Sequence, residues 1–348
     1  MPPAATELHM SKPHDVEGTV HHTSHHDDRT STQAQLNQIY AGAISGALTR
    51  TITQPFDVLK IRFQLQVEPL SKTTPGKYTS LLQASKLIYR EEGFRGLFKG
   101  HNAGQFMSIV YGVSQFWSYE QIRGVMRDSP FMATHPNIIN FFSGGFAGCI
   151  ATFLSIPFDV IRTRLVAQDP GQGYRNMAHA VPIIWRTEGI RGYFRGLHPT
   201  LIQIVPLVGF NFMFYKKFND ILLHTRLAHN DLLPTWVLLC TGAAAGVASK
   251  AVVYPLDFVK KRLQVQGFEH HRTRFGKTQR CKDAFHCIQL TMHEEGVRGF
   301  YKGMFPTLIK SGLMTAFYFT IYDRCKHLLY EHYHLGEKSK DSNEAGKS

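Results

Sequence analysis

A block of eight residues beginning at proline occurs three times in this chain, and nothing else in the sequence constrains the fold as tightly. Pro55-Phe56-Asp57-Val58-Leu59-Lys60-Ile61-Arg62 returns as Pro157-Phe158-Asp159-Val160-Ile161-Arg162-Thr163-Arg164 and as Pro255-Leu256-Asp257-Phe258-Val259-Lys260-Lys261-Arg262, at steps of 102 and 98 residues. Each copy follows a Gly-x-x-x-Gly pair: Gly42/Gly46, Gly144/Gly148 and Gly242/Gly246. Each precedes a second block: Glu92-Gly93 to Phe98-Lys99-Gly100, Glu188-Gly189 to Phe194-Arg195-Gly196, and Glu295-Gly296 to Tyr301-Lys302-Gly303. Self-similarity at a fixed period marks an array of one supersecondary unit. The 348 residues are therefore a triplicated unit of about 100 residues rather than two or three unrelated soluble domains.

The placement of charge shows what each unit contains. No Asp, Glu, Lys, Arg or His occurs in 138–158, 199–215 or 232–249. The stretches 36–49, 100–119 and 304–322 are nearly as clean, interrupted only by His101 and Lys310. Six such segments, two per unit, approach the ~20 residues of a membrane-crossing helix. Charged residues at 19%, with 29 Gly and 25 Phe, fit helices that pack through small residues and anchor with aromatics. The 43% hydrophobic content excludes a long disordered chain.

The intervening loops carry the basic excess. Residues 60–99 hold eight Lys/Arg against three acids, 162–195 six against two, and 260–302 ten against four. The connections 120–135 and 216–231 are almost balanced, so the long loops belong on the positive side of a membrane. Within those loops Leu81–Glu92, Ala178–Glu188 and Ala284–Glu295 are amphipathic and suit interfacial helices. Basic residues placed between spans, without an aromatic-basic platform, argue against a nucleic-acid partner.

Enzyme chemistry finds no footing. There is no nucleophile–base pair, carboxylate dyad, P-loop or HExxH, so no catalytic residue, metal site or cofactor is expected. The five cysteines are odd in number and form no CxxC, against a disulfide framework. The expected organisation is a disordered polar tail over 1–36, repeats over 37–128, 136–227 and 232–330, and a polar tail over 331–348. The first tail has six histidines but also acids, unlike an Arg-rich, acid-poor transit peptide.

In Pro-x-Asp-x-x-Lys/Arg the acid and base lie three apart on one helix face. The proline cannot donate to the helix ladder and bends the helix. Three such helices bring Asp57, Asp159 and Asp257 towards Lys60, Arg162 and Lys260, because charge at membrane depth is costly unless paired. The Gly-x-x-x-Gly pairs are expected to let backbones approach closely.

These blocks resemble the signature of the mitochondrial carrier family over residues 37–330. The resemblance implies an all-α membrane protein in the mitochondrial inner membrane. It would have six transmembrane helices in three pseudo-symmetric repeats around a central cavity, with three short matrix helices and both termini in the intermembrane space. It implies a monomer among inner-membrane lipids such as cardiolipin. It implies a matrix gate made by Asp57 with Arg162, Asp159 with Lys260, and Asp257 with Lys60. Gln64 and Gln264 resemble bracing glutamines beneath those pairs, whereas Val166 departs. A cytoplasmic gate resembles Tyr119-Glu120-x-x-Arg123 and Tyr322-Asp323-x-x-Lys326, while Lys216 and Asn219 replace the acid and base on the fourth helix.

Three cations then stand out near the bilayer midplane, where such transporters bind cargo. Arg50 and Lys250 lie five residues before a repeat proline, where the second repeat has Thr152, and Lys310 lies seven after Gly303. The family's contact points correspond to Met107-Ser108, Gln203-Ile204 and Lys310-Ser311. With three cations and no matched acid, the cargo is expected to be anionic, and Arg and Lys both bind phosphate. A carboxylate carrier usually has Arg where Gln203-Ile204 stands, which favours a phosphorylated cargo. Residues 54–66, Lys77 to Ser85, Lys99-Gly100-His101 and 254–270 resemble the branch of the family that carries thiamine pyrophosphate, with 267–282 the most specific stretch. Thiamine pyrophosphate taken up against nucleotides is the expectation. A carrier of nucleotides or coenzyme A-type cofactors is the alternative, and a phosphate-free channel or receptor a third class.

Overall fold

Apolar segments without internal charge favour helices that satisfy their own backbone, and every regular element among the described residues is helical. The computed structural model describes residues 24–67, 76–126, 136–223, 234–271 and 280–345. Its helices are α1 (Ser24–Leu65), α2 (Leu81–Glu92), α3 (His101–Met126), α4 (Pro136–Ala167), α5 (Met177–Glu188), α6 (Ile190–Tyr193), α7 (Leu197–Leu223), α8 (Thr235–Gln264), α9 (Ala284–Gly299, kinked at Gly296) and α10 (Met304–Ala345). Short 3₁₀ turns cover Phe94–Phe98 and Glu269–His271.

The chain divides into two units, one of residues 46–319 and one of 1–45 with 320–348. The second consists, where described, of the opening of α1 and the end of α10. Residues 24–36, expected to be disordered, are helical, and α10 runs on through most of the expected polar tail. Neither stretch contains a proline, so helix already nucleated in the apolar part propagates outward. Residues 1–23, 272–279 and the linkers 127–135 and 224–233 lie outside the described residues.

Within the larger unit, α3 packs along α4 and α7 along α8, and α4 also touches α7. The repeat prolines Pro55, Pro157 and Pro255 stand inside continuous helices. Each short loop helix starts at a repeat-matched cap: Ser80 accepts from the Gln83 amide, Asn176 from His179 and Asp283 from His286. Such a cap is worth about 1 kcal/mol. Three small apolar cores follow, built on Ile88 and Phe63, on Ile184 and Tyr174, and on Phe258 and Cys287.

Among the described residues, two helical stretches, Phe142–Ala167 and Ile190–Leu223, are long and apolar enough to cross a membrane. The sequence expectation was six. Part of the reason lies in α1, α8 and α10, which carry Asp57, Lys60, Asp257, Lys260, Arg50, Lys250 or Lys310 inside otherwise apolar runs and so lose mean hydropathy.

Candidate functional site

The three proline blocks meet in one ring of charge. Arg162 lies 2.5 Å from Asp57, Lys260 lies 2.8 Å from Asp159 and Lys60 lies 2.7 Å from Asp257. These are the pairs implied by the resemblance. Gln64 donates to Asp257 at 3.0 Å and to the Tyr254 hydroxyl at 3.1 Å. Gln264 donates to Asp159 at 2.9 Å and accepts from Thr163 at 2.7 Å. Val166 supplies no such brace; instead Gln54 of α1 accepts from Arg162 at 3.3 Å while donating to the Lys99 carbonyl at 2.9 Å.

Two further cations join the ring. Lys261 lies 2.8 Å from Asp159 and also donates to Thr163 and Gln264, each at 3.0 Å. Lys310 lies 2.6 Å from Asp57. Lys310 is therefore not the unmatched cavity cation the sequence suggests: α10 lays it against a carboxylate that Arg162 already shares. Three carboxylates face five cations, so the ring is positively charged as a whole.

A second threefold set ties each proline block to its glutamate block. The arginine closing the first block is buried each time and meets the glutamate of the second: Arg62 with Glu92 at 2.7 Å, Arg164 with Glu188 at 2.5 Å, and Arg262 with Glu295. The base before the closing glycine meets the same carboxylate, Lys99 with Glu92 and Arg195 with Glu188 at 2.7 Å each, and Lys302 with Glu295. Each set also reaches the next repeat, Arg62 donating to the Val166 carbonyl at 3.3 Å, Arg164 to Gln264 at 3.0 Å, and Lys302 to Val67 at 2.9 Å. Burial disfavours the Glu92 carboxylate, but hydrogen bonds and charge from Arg62 and Lys99 outweigh it and hold its carboxyl below the usual range. The Tyr78 hydroxyl, buried beside Arg62, is pushed up to about 12 by desolvation.

The closing glycine explains itself here. Gly100, Gly196 and Gly303 have φ of 72°, 79° and 79°. A Cβ there would stand 3.0, 3.0 and 2.9 Å from the carbonyls of Arg162, Lys260 and Lys60 in the next repeat. Only glycine accommodates both constraints. The Gly-x-x-x-Gly pairs behave otherwise. Gly46 and Gly144 have no neighbour within 4 Å of a built Cβ, and Gly148, Gly242 and Gly246 meet only side-chain atoms at 3.8–4.0 Å. At Gly148, Gly242 and Gly246 the nearest atoms belong to side chains, Tyr111, Ile204, Tyr215 and Asn211, so the expected close backbone approach is not seen there.

Beside the ring opens a cavity of about 390 Å³, lined among others by Arg50, Met107, Ser108, Tyr111, Asp159 and Lys260. It brings together three of the expected cargo residues, Arg50, Met107 and Ser108. Lys250, Lys310, Gln203 and Ile204 do not line it. Arg50 donates to the Gly104 carbonyl at 2.9 Å, and Lys250 to Ser311 at 2.9 Å. Glu120 and Arg123 are exposed, with Arg123 5.8 Å from the Tyr119 ring centre, and neither has an ion-pair partner among the described residues of their own unit. Asp323 and Lys326 are exposed on the part of α10 that belongs to the smaller unit. Among the described residues no group of three or more His, Cys, Asp or Glu could hold a metal.

Sequence reasoning missed Lys261, Gln54 and the Arg–Glu–base sets. The last were visible, since all their members sit at matched places in the quoted blocks. Lys261 was not, because Ile61 and Thr163 occupy its place in the other repeats.

The profile described as "Mitochondrial carrier protein" matches residues 31–130, 133–226 and 231–333. The "Mitochondrial thiamine pyrophosphate carrier" of Homo sapiens is 41% identical over 298 residues, covering 85% of this chain and 92% of that protein. The "Mitochondrial thiamine diphosphate carrier 1" of Zea mays is 38% identical over 306 residues, 81% of this chain and 91% of its own length. The "Mitochondrial thiamine pyrophosphate carrier 1" of Coccidioides immitis (strain RS) is 34% identical over 302 residues, 84% and 92% of the two chains.

Proposed function

This chain belongs to the mitochondrial carrier family, and we propose that it carries thiamine pyrophosphate into the mitochondrial matrix in exchange for nucleotides. The observation that carries the cargo is the agreement of relatives from a mammal, a grass and a fungus, all named for thiamine pyrophosphate or diphosphate and matched over more than nine-tenths of their length. The positive ring and the adjoining cavity with Arg50 and Lys260 support a diphosphate cargo, since charge-assisted contacts to phosphate are the strong ones.

In this reading α1, α3, α4, α7, α8 and α10 cross the inner membrane and α2, α5 and α9 lie on its matrix face. The repeats are 37–128, 136–227 and 232–330. The protein works as a monomer among anionic lipids such as cardiolipin, whose charge the basic loops complement. The Asp57, Asp159 and Asp257 pairs form the matrix gate, braced by Gln64 and Gln264, and Glu120, Arg123, Asp323 and Lys326 form the opposite one. Alternating access then exchanges one ring of pairs for the other. The gate opposite the matrix is the poorer in pairs, because Lys216 and Asn219 break its pattern, so the empty carrier opens readily to the cytosol.

The test is uptake of labelled thiamine pyrophosphate by liposomes holding the purified chain and preloaded with nucleotides. Saturable uptake that requires the internal nucleotide is expected. Exchange of adenine nucleotides with no response to thiamine pyrophosphate would replace this reading with the nucleotide one.

A further inference from the structure

A cargo with two unlike ends needs a site with two unlike ends, and three equal repeats cannot supply one. The cavity residues that break the repeat are therefore the ones that read the cargo. Arg50 marks one end: its guanidinium is fixed on the Gly104 carbonyl at 2.9 Å, and Ser108 donates to the same carbonyl at 3.2 Å. Tyr111 lies on the same helix seven residues beyond Gly104, about 10 Å along the axis at ~1.5 Å per residue. Seven residues is nearly two turns, so Tyr111 projects from the side that Gly104 occupies. Met107 and Ile156 line the same cavity.

Tyr111 breaks the threefold pattern. It stands eleven residues after the closing glycine Gly100, and the matched positions after Gly196 and Gly303 are Leu207 and Met314. Its ring is half-buried, and its hydroxyl makes no hydrogen bond among the described residues. A half-buried aromatic face attracts a flat cation placed over it, and gains strength where water is displaced.

We infer that Tyr111 is the specificity-determining residue for the heterocyclic end of the cargo, its ring face taking a cationic heterocycle while Arg50 and Lys260 hold the phosphates. This rests on the thiamine pyrophosphate reading, in which a diphosphate and a thiazolium ring are joined by a two-carbon tether. A neutral nucleobase would stack on the same face without the charge contribution, so Tyr111 favours the thiazolium compound over a nucleotide of equal phosphate number.

The experiment measures stabilisation of the purified full chain against heat by thiamine pyrophosphate and by inorganic pyrophosphate, which lacks the rings. The unsubstituted chain binds thiamine pyrophosphate the more tightly. Tyr111→Leu weakens thiamine pyrophosphate about 5- to 30-fold, the worth of a ring–cation contact, and leaves inorganic pyrophosphate unchanged. Tyr111→Phe keeps the ring face and keeps the preference. Parallel loss of both ligands in Tyr111→Leu, retention of the full preference, or a Tyr111→Phe as impaired as Leu each overturns the inference. If the unsubstituted chain binds inorganic pyrophosphate but not thiamine pyrophosphate, the proposed cargo fails and the inference falls with it.

Discussion

Lys310 and Arg162 hold the same carboxylate: Lys310 stands 2.6 Å from one oxygen of Asp57 and Arg162 2.5 Å from the other. A lysine on an apolar helix face is thereby part of the ring, joined to α1 across 253 residues of sequence. Replacing Lys310 with Ala removes one of two partners from a buried acid. Losing a hydrogen bond to a charged group costs about 1.5–3 kcal/mol. The substituted chain should therefore melt at a lower temperature even without cargo, and Lys310→Arg should recover part of the loss. An unchanged cargo-free melting curve for Lys310→Ala would show the pair to be without weight.

Lys60 and Asp257, 2.7 Å apart, offer the clearest pairwise test. Reversing either charge alone puts like charges together and should abolish most exchange. Reversing both restores the attraction and should recover a measurable part, a coupling of about 0.5–3 kcal/mol in a double-mutant cycle. Additive losses would mean the two do not act together.

Arg164 is bonded to Glu188, Tyr174 and the carbonyls of Gln264 and Gln266. Arg164→Ala leaves two carbonyls without their donor and Glu188 with Arg195 as its remaining partner in the set. Removing one partner of a buried pair costs about 3–5 kcal/mol. Failure to accumulate in membranes, or a melting point lowered by many degrees, is expected. Glu188→Gln, which keeps hydrogen bonds while losing the charge, should fall between.

Acid should loosen the first repeat through Glu92. Its folded-state carboxyl titrates below the ordinary 4.5, so folding is stabilised by this group at any pH above that value. That contribution is lost as the pH falls through the lower folded-state value, because only then does the native carboxylate take a proton. Melting temperature followed from pH 7 downward should drop more steeply for the unsubstituted chain than for Glu92→Gln. Parallel curves would remove Glu92 from the account.

How much could be read beforehand depended on whether a feature repeats. Ser80, Asn176 and Asp283 cap helices close to the stretches expected from amphipathic spacing, because capping and periodicity are local. The acids and bases of the ring recur three times and were legible for that reason, whereas which acid meets which base came from the family resemblance. Lys310, Lys261 and Gln54 each occur once, and their partners come from another repeat through packing alone. Lys310 was consequently read as unmatched. The glycine pairs misled in the opposite way: small residues permit close approach without enforcing it.

At Gly46 and Gly144 nothing stands within 4 Å of the place a methyl group would take. In the proposed alternating-access cycle, clearance left idle in one shape is taken up by neighbours in the other. Alanine at Gly144 should therefore be silent in melting experiments on the shape described, yet slow the turnover of cargo. Such a result would let kinetics alone report the dimensions of a conformer that equilibrium measurements on this one never sample.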